Sequence, residues 1–175
     1  MMTTMAVAQV NRIRDYEQAD APAIARLFYE TVRSVNRADY SDEQLQAWAP
    51  AIPDAGEWHD RMAGRKTLVA EEDGEVVGCC ELEKDGHLDM FYVRKDAVGR
   101  GIGRSLYEAA EQEARGWNLG RIFTEASVTA RPFFERRGFR VLGARRVSRQ
   151  GVELTNFAME KSLRPSDGEG GQGKL

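Results

Sequence analysis

Three closely spaced glycines mark the stretch best suited to binding a charged group. Residues 93–104 read Val-Arg-Lys-Asp-Ala-Val-Gly-Arg-Gly-Ile-Gly-Arg, between a predicted strand and a predicted helix. Glycines carry no side chain, so successive backbone N–H groups can converge on one oxygen-rich group at the positive end of a helix. Arg100 and Arg104 add permanent charge that suits a phosphate. The segment predicts a pyrophosphate-binding loop, with a tight strand-to-helix turn as the alternative interpretation.

Two common nucleotide-binding loops do not match this segment. A P-loop needs Gly-Lys followed by Ser or Thr, but Gly103 is followed by Arg104 and Ser105. The dinucleotide fingerprint needs Gly-x-Gly-x-x-Gly, whereas this chain has Gly-x-Gly-x-Gly after strands that read as an antiparallel meander. Neither nucleotide-binding fold is therefore predicted.

The segment instead resembles the acetyl-CoA motif of the GNAT superfamily of N-acetyltransferases, which has the form Gln/Arg-x-x-Gly-x-Gly/Ala. The matching residues are 98–103, and the preceding Met-Phe-Tyr-Val at 90–93 is similar to the aromatic-Val end of that family's fourth strand. A second block, at 126–139, resembles the family's Ala-x-x-Phe-Tyr-Glu-Lys-x-Gly-Phe sequence. The resemblance is specific over 88–139. It implies an N-acetyltransferase that uses acetyl-CoA as cosubstrate and needs no metal.

The resemblance also implies which residues hold the cofactor. Backbone amides at 98–104 would bind the pyrophosphate of CoA, and Phe91 and Val93 would offer backbone groups to the pantetheine arm, in a slot where two central strands splay apart. Ser127 takes the position of an Asn that contacts pantetheine in the family. The cofactor-binding residues predicted in this way are Phe91, Tyr92, Val93, Val98, Gly99, Arg100, Gly101, Ile102, Gly103, Arg104, Ser127, Phe133 and Phe134.

This chain departs from the family pattern at two further positions. Val98 replaces the usual Gln or Arg, which removes one polar side chain near the phosphates. Phe134 takes the place of a Tyr that is commonly catalytic, and a phenyl ring has no proton to give. The sequence therefore supports cofactor binding better than it supports catalysis.

Acetyl transfer to an amine needs a neutral nitrogen nucleophile and a donor for the thioester oxyanion, and an acid unless the thiolate departs as such. By the resemblance, His87 stands where some family members have a Glu that takes the amine proton, and a histidine titrates near neutral pH. A hydrated turn residue is the alternative interpretation. Asp89, Glu81 and Glu83 are further candidate bases, with solvated surface positions as their alternative.

Tyrosines are the candidates for the missing acid, namely Tyr29, Tyr40, Tyr92 and Tyr107, and packing would explain each of them equally well. Tyr40 precedes a predicted helix near Trp48, where family members often build the acceptor pocket. The predicted catalytic set is His87, Tyr40 and Asp89. Cys79 or Cys80 could carry an acyl group, but a small buried cysteine in a strand is the simpler interpretation, so direct transfer is predicted.

The elements that must position these residues follow from the hydrophobic periodicity and the turn signals. Ser41 and Gln44 form a predicted capping box, and Asp20 is a predicted N-cap. Together the elements predict an α+β fold (α/β sandwich) with a GNAT-like mixed, largely antiparallel central sheet flanked by helices. The predicted strands are 10–14, 67–70, 75–83, 87–93, 122–126, 139–147 and 152–159, and the predicted helices begin at 21, 41, 57, 102 and 129.

The length and composition fit one soluble domain. The chain has 175 residues, 42% hydrophobic and 30% charged, which excludes a collagen, a wholly disordered chain or a disulfide scaffold. The net charge of −3 argues against a nucleic-acid partner. Without a signal peptide or a long apolar stretch, and with adjacent cysteines, we expect a cytoplasmic protein without a membrane partner. The prediction is one domain at 1–162 and a flexible tail at 163–175, as a monomer or homodimer.

Three functions remain in competition at this point. The first is an N-acetyltransferase that acts on a primary amine of a small molecule or protein by direct attack in a ternary complex. The second is a non-catalytic CoA-binding regulatory module, and the third is an interaction domain anchored by Trp48 and Trp58. Acidic residues crowd 71–89, whereas arginines crowd 94–140. This distribution would draw an anionic cofactor to one end and a cationic amine to the other.

Overall fold

The computed structural model describes residues 12–164, and its elements follow the order that the sequence predicts. Three short 3-10 turns, at Gln18–Asp20, Asn36–Ala38 and Lys95–Ala97, lie between them. The strands are β1 (Arg12–Asp15), β2 (Lys66–Glu72), β3 (Glu75–Leu82), β4 (Leu88–Val93), β5 (Arg121–Ser127), β6 (Arg140–Arg149) and β7 (Val152–Ser162). The helices are α1 (Ala21–Ser34), α2 (Asp42–Trp48), α3 (Ala55–Ala63), α4 (Ile102–Gly116) and α5 (Arg131–Glu135).

The strands form two antiparallel sheets that meet at one point. The first sheet has the order β1-β2-β3-β4, and the second has the order β5-β7-β6. A single parallel bridge between His87 and Phe123 joins them, just before β4 and within β5. Within residues 12–164 these two strands share no ladder beyond that bridge, so an opening separates them. The predicted α+β class is confirmed, with antiparallel sheets flanked by helices.

Helices cover both faces of the sheets. On one face, α4 buries Ile102 and Leu106 in a cluster that includes Ile122 of β5. On the other face, α1 buries Ile24 against Cys79 of β3. These apolar contacts hold the first turns of α4 and α1 on opposite faces of the strands.

The two adjacent cysteines are packing residues in this arrangement. Cys79 and Cys80 are free thiols, and both are buried within β3. Burial raises the pKa of the Cys80 thiol to about 12 and raises that of Cys79 well above its ordinary value. A thiol that stays protonated is a poor nucleophile, which favours direct transfer over an acyl-cysteine route.

Local signals set several of the helix starts. The Ser41 hydroxyl accepts the Gln44 N–H at 3.1 Å and the Gln44 side chain accepts the Ser41 N–H at 2.9 Å, so the predicted capping box is confirmed. Asp20 precedes α1 as predicted, but its carboxylate does not cap the helix because Arg14 donates to it at 2.7 and 2.8 Å. Asp54 caps α3, which begins before residue 57 for that reason.

The predicted end of the domain falls too early. Leu163 is only 5% exposed, and its N–H donates to the Gly120 carbonyl at 2.9 Å, so it belongs to the core and not to a tail. Residues 165–175 of the predicted tail lie outside the described residues, as do residues 10 and 11 of the first predicted strand. None of the helices within 12–164 has the length and apolar character that crossing a membrane requires.

Candidate functional site

A cavity of about 540 Å³ occupies the opening between β4 and β5. At one end it is lined by the glycine loop and by α5. In its middle it is lined by residues 88–93 of β4 and residues 124–127 of β5. At the other end it reaches Thr31 of α1, Val35 directly after that helix, and Trp48 of α2. The cavity therefore connects the two faces of the sheets.

The glycine loop has the geometry of an anion-binding helix start. Gly101 is the N-cap of α4 with φ +85°, and Gly99 has φ +79°. A Cβ atom on either residue would meet no protein atom within 4 Å, and both residues line the cavity. The first N–H groups of α4 lack acceptors within the helix, so this open space lies next to free donors and the positive helix end.

Gly103 has a different role from the other two glycines. A Cβ atom there would lie 3.0 Å from Cε2 of Phe133, so the missing side chain lets α5 approach the first turn of α4. Phe133 and Phe134 line the cavity, and their rings lie 5.1 and 5.5 Å from that of Phe91. Phe134 is fully buried among aromatic rings. Because its ring carries no hydroxyl, it needs no hydrogen-bond partner there.

The side chains of the two arginines of the loop lie in different places. Arg104 lies on the cavity and is largely exposed, with Glu108 at 2.7 Å. The Arg100 guanidinium instead pairs with the buried carboxylate of Glu72 and is not on the cavity surface. The role of the Arg100 side chain at the phosphates stays a prediction. The side chain of Ile102, likewise, is buried in the core, which leaves only its backbone for a ligand.

Two further arginines, Arg136 and Arg137, line the same end of the cavity. The Arg137 guanidinium lies 3.7 Å from the centre of the Phe133 ring, and its buried Nε has no hydrogen-bond partner among the described residues. Burial, together with Arg136 and Arg104, lowers the pKa of Arg137. Crowded like charges of this kind are relieved by an anion. The sequence shows that arginines occur here, but it does not show which way their side chains point.

The first part of β4 is irregular where it borders the cavity. Met90 has φ +51°, an unusual value for a residue with a side chain, and the register with β3 shifts beside it. Met90, Phe91, Tyr92 and Val93 all line the cavity. The Leu88 carbonyl accepts the Thr124 hydroxyl at 2.7 Å, but β4 has no ladder partner on its β5 side within 12–164 apart from the bridge at residue 87. Residues 91–93 can therefore offer backbone groups to an extended ligand.

Ser127 lies on the cavity beside an asparagine that the sequence did not single out. Its hydroxyl accepts the Ala130 N–H at 3.0 Å and lies 3.4 Å from Nδ2 of Asn36. Asn36 is buried and lines the cavity. An amide from the 3-10 turn that follows α1 thus lies next to the hydroxyl that was expected to replace a family Asn. No local sequence signal could identify it, because the two residues are 91 positions apart.

The Tyr40 hydroxyl already has two backbone partners. It donates to the Thr155 carbonyl at 2.7 Å and accepts the Val128 N–H at 2.9 Å. Tyr40 is buried and does not line the cavity, and burial raises the pKa of its hydroxyl. The catalytic role of Tyr40 stays a prediction, and this geometry gives the residue a clear role in holding the segment after β5.

Replacing Tyr40 by phenylalanine is expected to destabilise the protein by about 2 kcal/mol, because a buried donor and a buried acceptor lose their partner. Urea unfolding measures this loss. Tyr29→Phe is a suitable control, because no hydrogen bond of its hydroxyl is found among residues 12–164 and its ring contacts Arg33. Equal stabilities of the two variants would contradict the structural role.

His87 is held between two carboxylates. Its Nε2 lies 2.5 Å from Glu125 and its Nδ1 lies 3.2 Å from Glu83, while its ring stacks on Phe123. Burial would lower the pKa of His87, but the hydrogen bond and charge of Glu125 and the bond to Glu83 raise it above its ordinary value. A raised pKa leaves a smaller fraction of neutral imidazole at a given pH, so less of His87 is available as a general base. Glu125, which the sequence did not single out, lines the cavity itself.

The raised pKa of His87 predicts a pH-dependent contribution to stability. The folded state holds the proton more tightly, so the contribution is complete below the unfolded pKa of about 6.5 and is lost as pH rises through the folded value. The stability difference between wild type and His87→Gln should therefore be larger at about pH 6 than at about pH 9. Urea titrations at both pH values measure it, and a difference that grows with pH would contradict the assignment.

Asp89 lies on the cavity within a network of ion pairs. Its Oδ2 accepts from Arg61 at 2.7 Å, and its Oδ1 accepts the Met90 N–H at 2.8 Å. Arg61 also donates to the buried carboxylate of Glu81 at 3.2 Å. This network ties α3 to the irregular part of β4.

Glu83, His87 and Asp89 place one possible metal-ligand atom each within 4.8 Å of one another. Arg61 already pairs with Asp89, and Arg65 lies 3.6 Å from Glu83. A metal ion would have to displace these guanidinium groups, so the cluster is an ion-pair network in this structure. The expected absence of a metal stays a prediction.

The two tryptophans considered as interaction anchors are both partly buried and pack against other aromatic rings. The Trp58 ring lies 4.9 Å from Phe28, and the Trp48 ring lies 5.4 Å from Tyr40. Trp48 also forms part of the cavity wall. These contacts explain both residues without a protein partner.

Comparison with known proteins identifies relatives of the whole folded region. The model of the acetyltransferase (GNAT) domain family matches residues 36–161. The uncharacterized N-acetyltransferase YafP of Escherichia coli is 29% identical over 148 residues, which cover 85% of this chain and 93% of that protein. The crystal structure of a GCN5-related N-acetyltransferase from Rhodopseudomonas palustris is 35% identical, with a TM-score of 0.84 over 91% of this chain and 99% of that one.

One solved relative contains the cofactor that the glycine motif implies. The PaiA N-acetyltransferase from Thermoplasma acidophilum, whose structure is a complex with coenzyme A, is 18% identical to this chain. Its TM-score is 0.72 over 87% of this chain and 99% of that one. At this identity the likeness is one of fold.

Proposed function

Since the chain belongs to the GNAT acetyltransferase family and is an acetyl-CoA-dependent N-acetyltransferase, we propose that it acetylates a primary amine of a small molecule or protein by direct attack in a ternary complex. One observation carries this proposal: a single cavity passes between β4 and β5 from the glycine loop to the end of α1. Two substrates that enter from opposite ends would meet inside it. Holding both in one complex lowers the barrier by orientation alone.

We place the cofactor at the glycine-loop end. Backbone N–H groups at 98–104 would hold the pyrophosphate, and the arginines that line this end would balance its charge. Phe91, Tyr92 and Val93 would pair with the pantetheine arm through their backbone, as a neighbouring strand does. Ser127 of β5 and Asn36 of the turn after α1 would contact the arm, and Phe133 and Phe134 would cover it.

We place the reaction in the middle of the cavity, beside Asp89. The ammonium form of the acceptor gives one proton to Asp89, directly or through water, and the neutral nitrogen then forms a bond to the acetyl carbon. As the carbon–sulfur bond breaks, the nitrogen loses its second proton to solvent. His87 would fix the carboxylates around this point. Phe134 cannot supply a proton, so the sulfur departs as thiolate and takes its proton from solvent. Tyr40 would act only by holding the segment after β5.

Release of free CoA from acetyl-CoA in the presence of a panel of amines tests the function. We expect saturable release that depends on an amine, with initial-rate lines that intersect when both substrates are varied. Parallel lines would indicate a covalent acetyl-enzyme and would contradict direct transfer. Tight CoA binding without release for any amine would support the non-catalytic module instead.

A further inference from the structure

The end of the cavity opposite the glycine loop differs in charge from the loop end. Its wall is formed by neutral side chains, those of Thr31, Val35, Asn36, Trp48 and Tyr92. Among the described residues that line the cavity, the cations are Arg104, Arg136 and Arg137, and all of them lie at the glycine loop and α5. The other charged side chains among the described residues that line the cavity are two carboxylates, Asp89 and Glu125.

Both carboxylates lie on the face of the sheets that α1 and α3 cover. In β5, Ile122 and Ala126 are buried in the cluster under α4, so Glu125 points to the opposite face by the alternation of a strand. Asp89 contacts Arg61 of α3 on that same face. An amine that enters beside α1 would therefore meet negative charge in the middle of the cavity.

The Glu125 carboxylate is held in place by its neighbours but can still accept hydrogen bonds from a ligand. One of its oxygens contacts His87 at 2.5 Å, and the other lies 3.6 Å from Arg145, beyond a normal hydrogen bond. About a third of its side chain is exposed. An ionised carboxylate has roughly four acceptor positions on its two oxygens, so an ammonium group can still bind.

We propose that this end of the cavity binds a primary amine with an apolar alkyl or aromatic body and no carboxylate beside the nitrogen, with Glu125 as the partner of its ammonium group. This inference rests on the proposed function, because it names the acceptor class of the same site. A carboxylate next to the nitrogen would lie against Asp89 and Glu125, whose cationic neighbours are already paired. The Trp48 and Tyr92 side chains supply an apolar and aromatic wall for the rest of the molecule.

Thr31, at the neutral end of the cavity, indicates a second feature of the acceptor. It is 5% exposed and lines the cavity, and its hydroxyl has no hydrogen-bond partner among residues 12–164. A buried hydroxyl without a partner is costly, so a neutral polar group on the acceptor would stabilise the complex. A hydroxyl or amide suits this position.

Matched pairs of acceptors test the inference. The probes are 2-phenylethylamine against phenylalanine and tyramine against tyrosine, with Nα-acetyl-lysine amide as a lysine side chain. We expect kcat/KM for each amine to exceed that of its amino acid at least tenfold. A higher value for the lysine derivative than for the small amines would assign the same chemistry to a protein substrate.

Glu125→Gln isolates the role of the carboxylate, because glutamine keeps the size and the contact with His87. We expect the KM for the amine to rise at least tenfold while the KM for acetyl-CoA stays constant. Glu153→Gln on β7 is the matched control. The Glu153 side chain is largely exposed, and its ion pair with Arg146 is long at 4.0 Å. This variant should change neither KM. A change in the acetyl-CoA constant alone would overturn the assignment of Glu125.

Calorimetry keeps this inference separate from the proposed function. Each probe is titrated into protein saturated with CoA, so binding is measured even when no turnover occurs. Stronger binding of amines than of amino acids supports the inference whether or not CoA is released from acetyl-CoA. Equal or stronger binding of the amino acids, or no binding of any probe, would overturn it.

Discussion

Replacing Gly101 by leucine is expected to weaken acetyl-CoA binding at least a hundredfold, which corresponds to about 3 kcal/mol. Gly101 is the residue from which α4 begins, and the space that its missing side chain leaves is open to the cavity. A leucine there would occupy the position proposed for the pyrophosphate and would cover the first N–H groups of the helix. Calorimetric titration with acetyl-CoA measures the loss.

A second glycine separates the loss of binding from the strain of the substitution. Gly101 has φ +85°, so any side chain there adds strain of about 1–2 kcal/mol. Gly151, in the turn between β6 and β7, has φ +78° and also leaves 4 Å of open space around a Cβ atom. Gly151→Leu should lose similar stability and bind acetyl-CoA normally. Normal binding by a folded Gly101→Leu protein would show that the phosphates lie elsewhere.

The order of the elements could be predicted because each depends on a local signal. The capping box at Ser41 marks the start of α2. The turn between β2 and β3 is formed by Asp73 and Gly74, which both have positive φ. The glycine at 101 begins α4. Such signals lie within a few residues of the feature that they cause, so they need no knowledge of the rest of the fold.

The directions of polar side chains could not be predicted, because distant residues set them. Arg100 stands in the loop as expected, yet it turns to Glu72, 28 residues earlier. Tyr40 precedes α2 as expected, but its hydroxyl binds β7 and the segment after β5. Asn36 and Glu125 reach the cavity only because α1 and β5 end beside it. The part of the site built from backbone was therefore easier to predict than the part built from side chains.

Changing Arg136 and Arg137 together to glutamine is expected to lower the affinity for acetyl-CoA by about a hundredfold. A hydrogen bond to a charged group contributes roughly 1.5–3 kcal/mol, and both arginines line the cavity at the end proposed for the phosphates. Arg137 in particular has a buried Nε without a partner among the described residues, which a phosphate oxygen could satisfy. Glutamine at 137 retains a donor for the Phe133 carbonyl, which Arg137 contacts at 3.2 Å.

The salt dependence of binding distinguishes direct phosphate contacts from a general loss of positive charge. Charges exposed on the surface are screened within about 8–10 Å at moderate ionic strength, whereas partly buried pairs are screened much less. Arg146→Gln with Arg149→Gln on β6 removes the same two charges from positions that do not line the cavity, so its binding should match wild type at about 0.15 M salt. The Arg136 and Arg137 variant should keep most of its deficit at that salt concentration. Equal deficits in the two double variants would mean that these arginines act through net charge alone, and the phosphates would then have to be placed along the glycine loop without them.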